Sequence, residues 1–97
     1  MRIGIDMMGG DYAPGSTIRG SILARQVLPG HVDIVLIGDQ DSYSRYTEEH
    51  GLDVSGISFL HTSQHVRMHD HPLRAFKEKP DSGIFLGQKL VAKGELD

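Results

Sequence analysis

The sequence predicts an α/β fold on a parallel sheet, and three observations carry that prediction. Short apolar runs stand at Ile3–Ile5, Ile34–Ile37 and Ile57–Leu60, each of strand length. The run Ile34-Val35-Leu36-Ile37 is continuous rather than alternating, which is what a parallel strand buried on both faces produces. Segments with helical spacing lie between the runs, and alternating strands and helices form a parallel sheet with right-handed crossovers.

Each element follows from its residues. Arg2-Ile3-Gly4-Ile5-Asp6 places Ile3 and Ile5 on one face and closes the first strand with a carboxylate. Met7-Met8-Gly9-Gly10-Asp11-Tyr12-Ala13-Pro14 then turns the chain, with the glycines expected to take positive φ and to let a ligand approach the backbone. Ser16 is the expected N-cap of a helix whose apolar positions are Ile18, Ile22, Leu23 and Val27, stopped by Pro29-Gly30. After the second strand, Asp41 or Ser42 is expected to cap a weakly amphipathic helix through Tyr43, Tyr46 and Thr47, ending near His50-Gly51. The third strand reads Ile57 to His61.

From Thr62 to Asp81 the chain changes character, with His65, His69, His71, four basic residues and two prolines, and it reads as a surface connection. Leu73 to Phe76 can form a helical turn with Pro72 at its first position. Ser82 is the expected cap of a last helix through Ile84, Leu86, Leu90 and Val91, closed by Lys93-Gly94. A next strand is expected beyond that helix, which makes the chain a segment of something larger.

Composition narrows the function classes. Ten Lys and Arg against thirteen Asp and Glu give a formal charge of −3, so no bulk basic field recommends nucleic acid as a partner. The sequence has no cysteine, which excludes disulfides and thiolate chemistry within it and agrees with a cytoplasmic address. No apolar run approaches the roughly twenty residues that span a bilayer.

The glycine turn is the principal chemical feature. Between a strand and a helix, free N–H groups and the positive helix end converge, which suits phosphate, although neither G-x-G-x-x-G nor a Lys-[Ser/Thr] P-loop ending is present. The plainer reading is a tight turn that needs glycine for geometry alone. Asp6 and Asp11 flank the turn, and two carboxylates beside a phosphate need separate tasks. One can hold the loop by accepting backbone N–H groups, and the other can orient a reacting oxygen or take its proton; the plainer reading is two capping carboxylates. His61, His65 and His69 stand four apart, but His61 ends a strand and no apolar stripe supports a helix there, so no metal site is expected. Arg67, Arg74, Lys77 and Lys79 make either a cationic rim for an acidic partner or an ordinary solvated face.

At these residues the sequence resembles the N-terminal part of bacterial phosphate acyltransferases of the PlsX type. The resemblance rests on Asp6-x-Met8-Gly9-Gly10-Asp11-x-x-Pro14, on Val35-x-x-x-Gly38-Asp39, and on Met68-x-Asp70-x-Pro72-x-x-Ala75-x-x-x-Lys79-x-x-Ser82. It departs from that pattern at Met7, usually small, at Tyr12, often His or Asn, and at Gly83, usually Ser.

The resemblance implies that residues 1–97 are the N-terminal segment of a larger two-lobed enzyme. The implied fold is a three-layer αβα unit with a Rossmann-like sheet, similar to one lobe of the isopropylmalate dehydrogenase and phosphotransacetylase group. It implies a cytoplasmic homodimer, working beside the membrane, that moves an acyl group from acyl-acyl carrier protein to inorganic phosphate, with no cofactor or metal. The implied tasks are phosphate binding at Gly9, Gly10, Asp11 and Ser82, loop organisation by Asp6, phosphate orientation or deprotonation by Asp11, and carrier contact through Arg74, Lys77 and Lys79. Ile3-Gly4-Ile5-Asp6-x-x-Gly9-Gly10 also looks like the first phosphate loop of actin-like sugar kinases, in which an antiparallel strand would follow the turn. A non-catalytic carrier-binding domain is the third reading.

Overall fold

A computed structural model describes residues 1–10, 12–64, 74 and 77–97. Its elements run β1 (Arg2–Asp6), α1 (Gly15–Val27), β2 (Asp33–Gly38), α2 (Gln40–Glu49), β3 (Ile57–His61) and α3 (Gly83–Ala92). The three strands form one parallel sheet in the order β1-β2-β3, with Ile5 opposite Leu36 and Leu36 opposite Phe59. This is the parallel α/β architecture expected from the alternation of elements.

Residues 34 to 38 of β2 are all buried, as a central strand covered on both faces must be. The period of two sends Leu36 to one face, where it packs with Met7 and Ile18, and sends Val35 and Ile37 to the other, where they pack with Leu96. Ile22 of α1 and Tyr43 of α2 join the first cluster; Leu86 and Leu90 of α3 join the second. The sheet therefore lies between α1 and α2 on one side and α3 on the other, a three-layer Rossmann-like unit. Tyr43 stacks on Phe59 at a centroid distance of 4.3 Å, and burial raises its phenol above the ordinary tyrosine range.

Three local expectations need correction. The helix α1 starts at Gly15 with Pro14 in the cap position, and the Ser16 hydroxyl donates to Tyr12 O at 3.4 Å instead of capping. Only part of its expected apolar stripe faces inward: Ile18 is buried, whereas Leu23 and Val27 are 63% and 81% exposed. At about 100° per residue these two lie about 140° and 180° around the helix from Ile18. The cap of α2 is Asp39, whose carboxylate accepts from Ser42 N at 3.0 Å and from Ser42 Oγ at 2.8 Å. Two hydrogen bonds to the charged form hold its carboxyl below the usual carboxylate range.

Other boundaries agree with the sequence reading. α2 ends at Glu49 before Gly51 at φ +59°, and α3 ends before Gly94 at φ +77°. Among the described residues no helix is long and apolar enough to cross a membrane.

Candidate functional site at the carboxyl edge of the sheet

Asp6, Gly38 and His61 end the three strands on one edge, and the connections leaving that edge gather its polar groups. Met7 N–H donates to Ile37 O at 2.8 Å, which carries the β1 ladder one residue past the strand and buries Met7 completely. Gly38 makes room for that side chain, since a Cβ there would lie 2.8 Å from Met7 Cε and 3.0 Å from Met7 Cβ. The methionine that departs from the PlsX-type pattern is thus a core residue. Tyr12, another departure, is 82% exposed.

The glycine turn is held from several sides. Gly9 N–H donates to Asp6 O at 3.1 Å and Met8 N–H to Asp6 Oδ1 at 3.1 Å, so the Asp6 carboxylate accepts a backbone N–H of the loop that follows it. Gly10 takes φ +85°, where a Cβ would be strained; Gly9 does not take positive φ. The Thr17 hydroxyl, one turn into α1, lies 2.6 Å from Met7 O and 2.9 Å from Pro14 O and ties both ends of the loop to the helix. Sequence reasoning passed over Thr17. A hydroxyl residue in the first turn after a glycine loop is the signal that could have found it.

Asp6 also meets the start of α3. A Cβ on Gly83 would stand 2.6 Å from Asp6 Oδ1 and 3.1 Å from Asp6 Cγ, so the third departure, glycine for serine, makes space for the carboxylate. Ser82 occupies the cap position in an extended conformation and is fully buried, yet its hydroxyl has no hydrogen-bond partner among the described residues. Its neighbourhood is fixed by two residues the sequence reading did not weigh. Thr62 donates to Asp81 O, and Gln64 Oε1 accepts from Asp81 N at 2.8 Å beside a bridge between Gln64 and Ser82. A groove of about 450 Å³ runs from Asp6 and Gly83 along β1 to Leu96.

The structure therefore brings Asp6, Gly9, Gly10, Gly83 and Ser82 to one edge. Asp11 lies outside the described residues, as do His65, Arg67, His69 and His71. The helical turn expected over Leu73 to Phe76 falls on residues of which only Arg74 is described; it is helical, as are Lys77 and Glu78. Arg74 and Lys77 are exposed and Lys79 is half-buried; Arg74 Nε lies 4.0 Å from Glu78 Oε1 on the surface. His61 Nδ1 accepts from Gln40 N at 3.0 Å, so this histidine is engaged with the start of α2. Among the described residues no three metal-capable side chains converge. The turn after β1 leads into α1 and, among the described residues, every strand pair is parallel, so the antiparallel strand that the sugar-kinase reading requires does not follow the turn.

Fold and site together define a Rossmann-like α/β unit whose loop-ordering groups collect where parallel strands end. The chain belongs to the fatty acid synthesis protein family, whose model matches residues 1–97. It is 34% identical over 97 residues to a phosphate acyltransferase of Dictyoglomus turgidum, 37% over 97 residues to one of Thermotoga neapolitana, and 39% over 98 residues to one of Desulforamulus reducens. These matches cover 100% of this chain but only 28%, 26% and 28% of the respective relatives, so the chain spans little more than a quarter of their length.

Proposed function

We propose that the chain is the N-terminal segment of a two-lobed phosphate acyltransferase that transfers a fatty acyl group from acyl-acyl carrier protein to inorganic phosphate. The observation that carries this reading is the β1–glycine turn–α1 unit, with its ordered Asp6 carboxylate, in a chain matched from end to end by its family model. In the reaction a phosphate oxygen attacks the thioester carbonyl. The tetrahedral oxyanion then collapses, the carrier's thiolate leaves and takes a proton, and acyl phosphate remains.

In this reading Gly9 and Gly10 let phosphate approach the backbone, and Asp6 holds their loop in shape. Asp11 orients phosphate or accepts its proton, and Ser82 contacts it from the start of α3. Arg74, Lys77 and Lys79 receive the acidic carrier protein, steering it by charge. The enzyme is a cytoplasmic homodimer beside the membrane, using neither metal nor cofactor. Positioning two reactants is worth roughly 7–11 kcal/mol and each oxyanion donor roughly 3 kcal/mol, and both need groups on opposing walls. The 97-residue chain alone is therefore expected to be inactive.

The test is acyl phosphate formation, trapped as the hydroxamate, by the protein from its complete reading frame supplied with acyl-acyl carrier protein and phosphate. Phosphate-dependent product is expected. Carrier binding without turnover would overturn the enzyme reading in favour of a binding domain.

A further inference from the structure

The peptide between Met7 and Met8 is gripped at both ends. Its carbonyl oxygen lies 2.6 Å from the Thr17 hydroxyl, and its N–H donates to Asp6 Oδ1 at 3.1 Å. A trans peptide points these two groups in opposite directions, so a donor on one side and an acceptor on the other fix the orientation of the plane.

Thr17 has one hydroxyl proton and two acceptors within reach. Pro14 O, at 2.9 Å, already accepts from Ile18 N at 3.1 Å, whereas Met7 O is closer and has no other donor among the described residues. A threonine within a helix ordinarily bonds back to a carbonyl three or four residues earlier. Here the shorter contact reaches ten residues back, to the point where the loop leaves β1. Asp6 takes the next amide of the loop as well, since Gly9 N–H donates to Asp6 O at 3.1 Å. Gly10, at φ +85°, is therefore the first residue of the turn whose N–H is bound to nothing among the described residues.

We propose that Thr17 is a positioning residue for phosphate: with Asp6 it clamps the Met7–Met8 peptide, which keeps the Met7 carbonyl turned to α1 and leaves the Gly10 N–H as the first donor open to the anion. This rests on the reading of the turn as a phosphate site. Left without a donor in a half-buried corner, the carbonyl gains by rotating toward water. That rotation takes the Met8 N–H off Asp6 Oδ1 and shifts the glycines that follow.

Two substitutions in the protein from its complete reading frame separate the hydroxyl from the shape of the side chain. Thr17→Val keeps the branched shape and removes the donor; Thr17→Ser keeps the donor. Binding of inorganic phosphate, measured by calorimetry, is expected to weaken on the order of tenfold in Thr17→Val and to stay within about twofold of wild type in Thr17→Ser. The Michaelis constant for acyl-acyl carrier protein should not move in either, which a general loss of structure would not produce. Amide hydrogen exchange of the wild type reads the same clamp without any substitution. Met8 N–H should exchange slowly with or without phosphate, and Gly10 N–H should slow only when phosphate is added. Equal phosphate affinity in wild type and Thr17→Val would overturn the proposal, as would equal weakening by both variants or a Gly10 amide indifferent to phosphate. A protein that binds phosphate with this pattern but makes no acyl phosphate would uphold the clamp and overturn only the reading of function.

Discussion

Two helix starts meet the same edge of the sheet and are finished in different ways. At α2 the closure is local. Asp39 takes both the backbone and the side-chain hydrogen of Ser42, and the Gln40 N–H goes to His61. At α3 the residue type and backbone of a cap are present in Ser82, but its buried hydroxyl makes no bond among the described residues, and the nearby carboxylate comes from Asp6, far away in the chain. The difference separates an end built only to be stable from an end whose polar groups are arranged around a neighbouring loop. Helix N-termini are ordinarily satisfied by their own caps, so a buried cap hydroxyl that satisfies nothing requires another account.

Filling the space at α3 should have the largest effect. Gly83→Val places carbon against Asp6 Oδ1 and Cγ, forcing the carboxylate off the Met8 N–H, and should destabilise the protein by about 1–3 kcal/mol. Urea unfolding checks it; an unchanged midpoint would mean that Asp6 does not depend on the glycine. Asp39→Ala at the other start should cost about 1 kcal/mol, the ordinary worth of an N-cap.

That second contribution carries a pH signature. The folded Asp39 carboxyl titrates below the ordinary carboxylate range, so its stabilisation is present above the unfolded pKa and lost as pH falls through the lowered folded value. The stability difference between wild type and Asp39→Asn should hold from neutrality to about pH 5 and shrink below about pH 4. Unfolding curves across that range check it, and a difference that persists in acid would contradict the capping account. Ser82→Ala should be the mildest change, within about 0.5 kcal/mol, because the hydroxyl it removes satisfies no described donor or acceptor. A loss as large as that of Asp39→Ala would make the two helix starts equivalent and end the contrast.

The same contrast explains what could be seen in the sequence. Features set within a few residues were legible: the doubly buried Ile34–Ile37 run, the glycine stops at Gly51 and Gly94, and the glycine turn after Asp6. The expected cap of α2 fell on Asp41 or Ser42 because several capping residues stand in a row, and only the ladder to β3 shows that the chain leaves the sheet at Gly38. Recurrence at helical spacing groups Leu23 and Val27 with Ile18 and Ile22 on one apolar face of α1, but their angular positions relative to Ile18 set them on its far side. The meeting of Asp6 with Gly83, and the anchoring of Ser82 by Thr62 and Gln64, join residues too distant in sequence for any periodicity to pair.

The central claim is that the turn after β1 positions phosphate, and the most direct measurement is the phosphate dependence of acyl phosphate formation by Gly10→Val in the protein from its complete reading frame. At φ +85° a β-branched side chain is strained, although a Cβ would meet no described atom within 4 Å, so the backbone around it should move while the rest of the sheet stays intact. The account predicts a raised Michaelis constant for phosphate with that for acyl carrier protein nearly unchanged. A phosphate Michaelis constant and turnover equal to wild type, in a variant with unaltered urea unfolding, would contradict it.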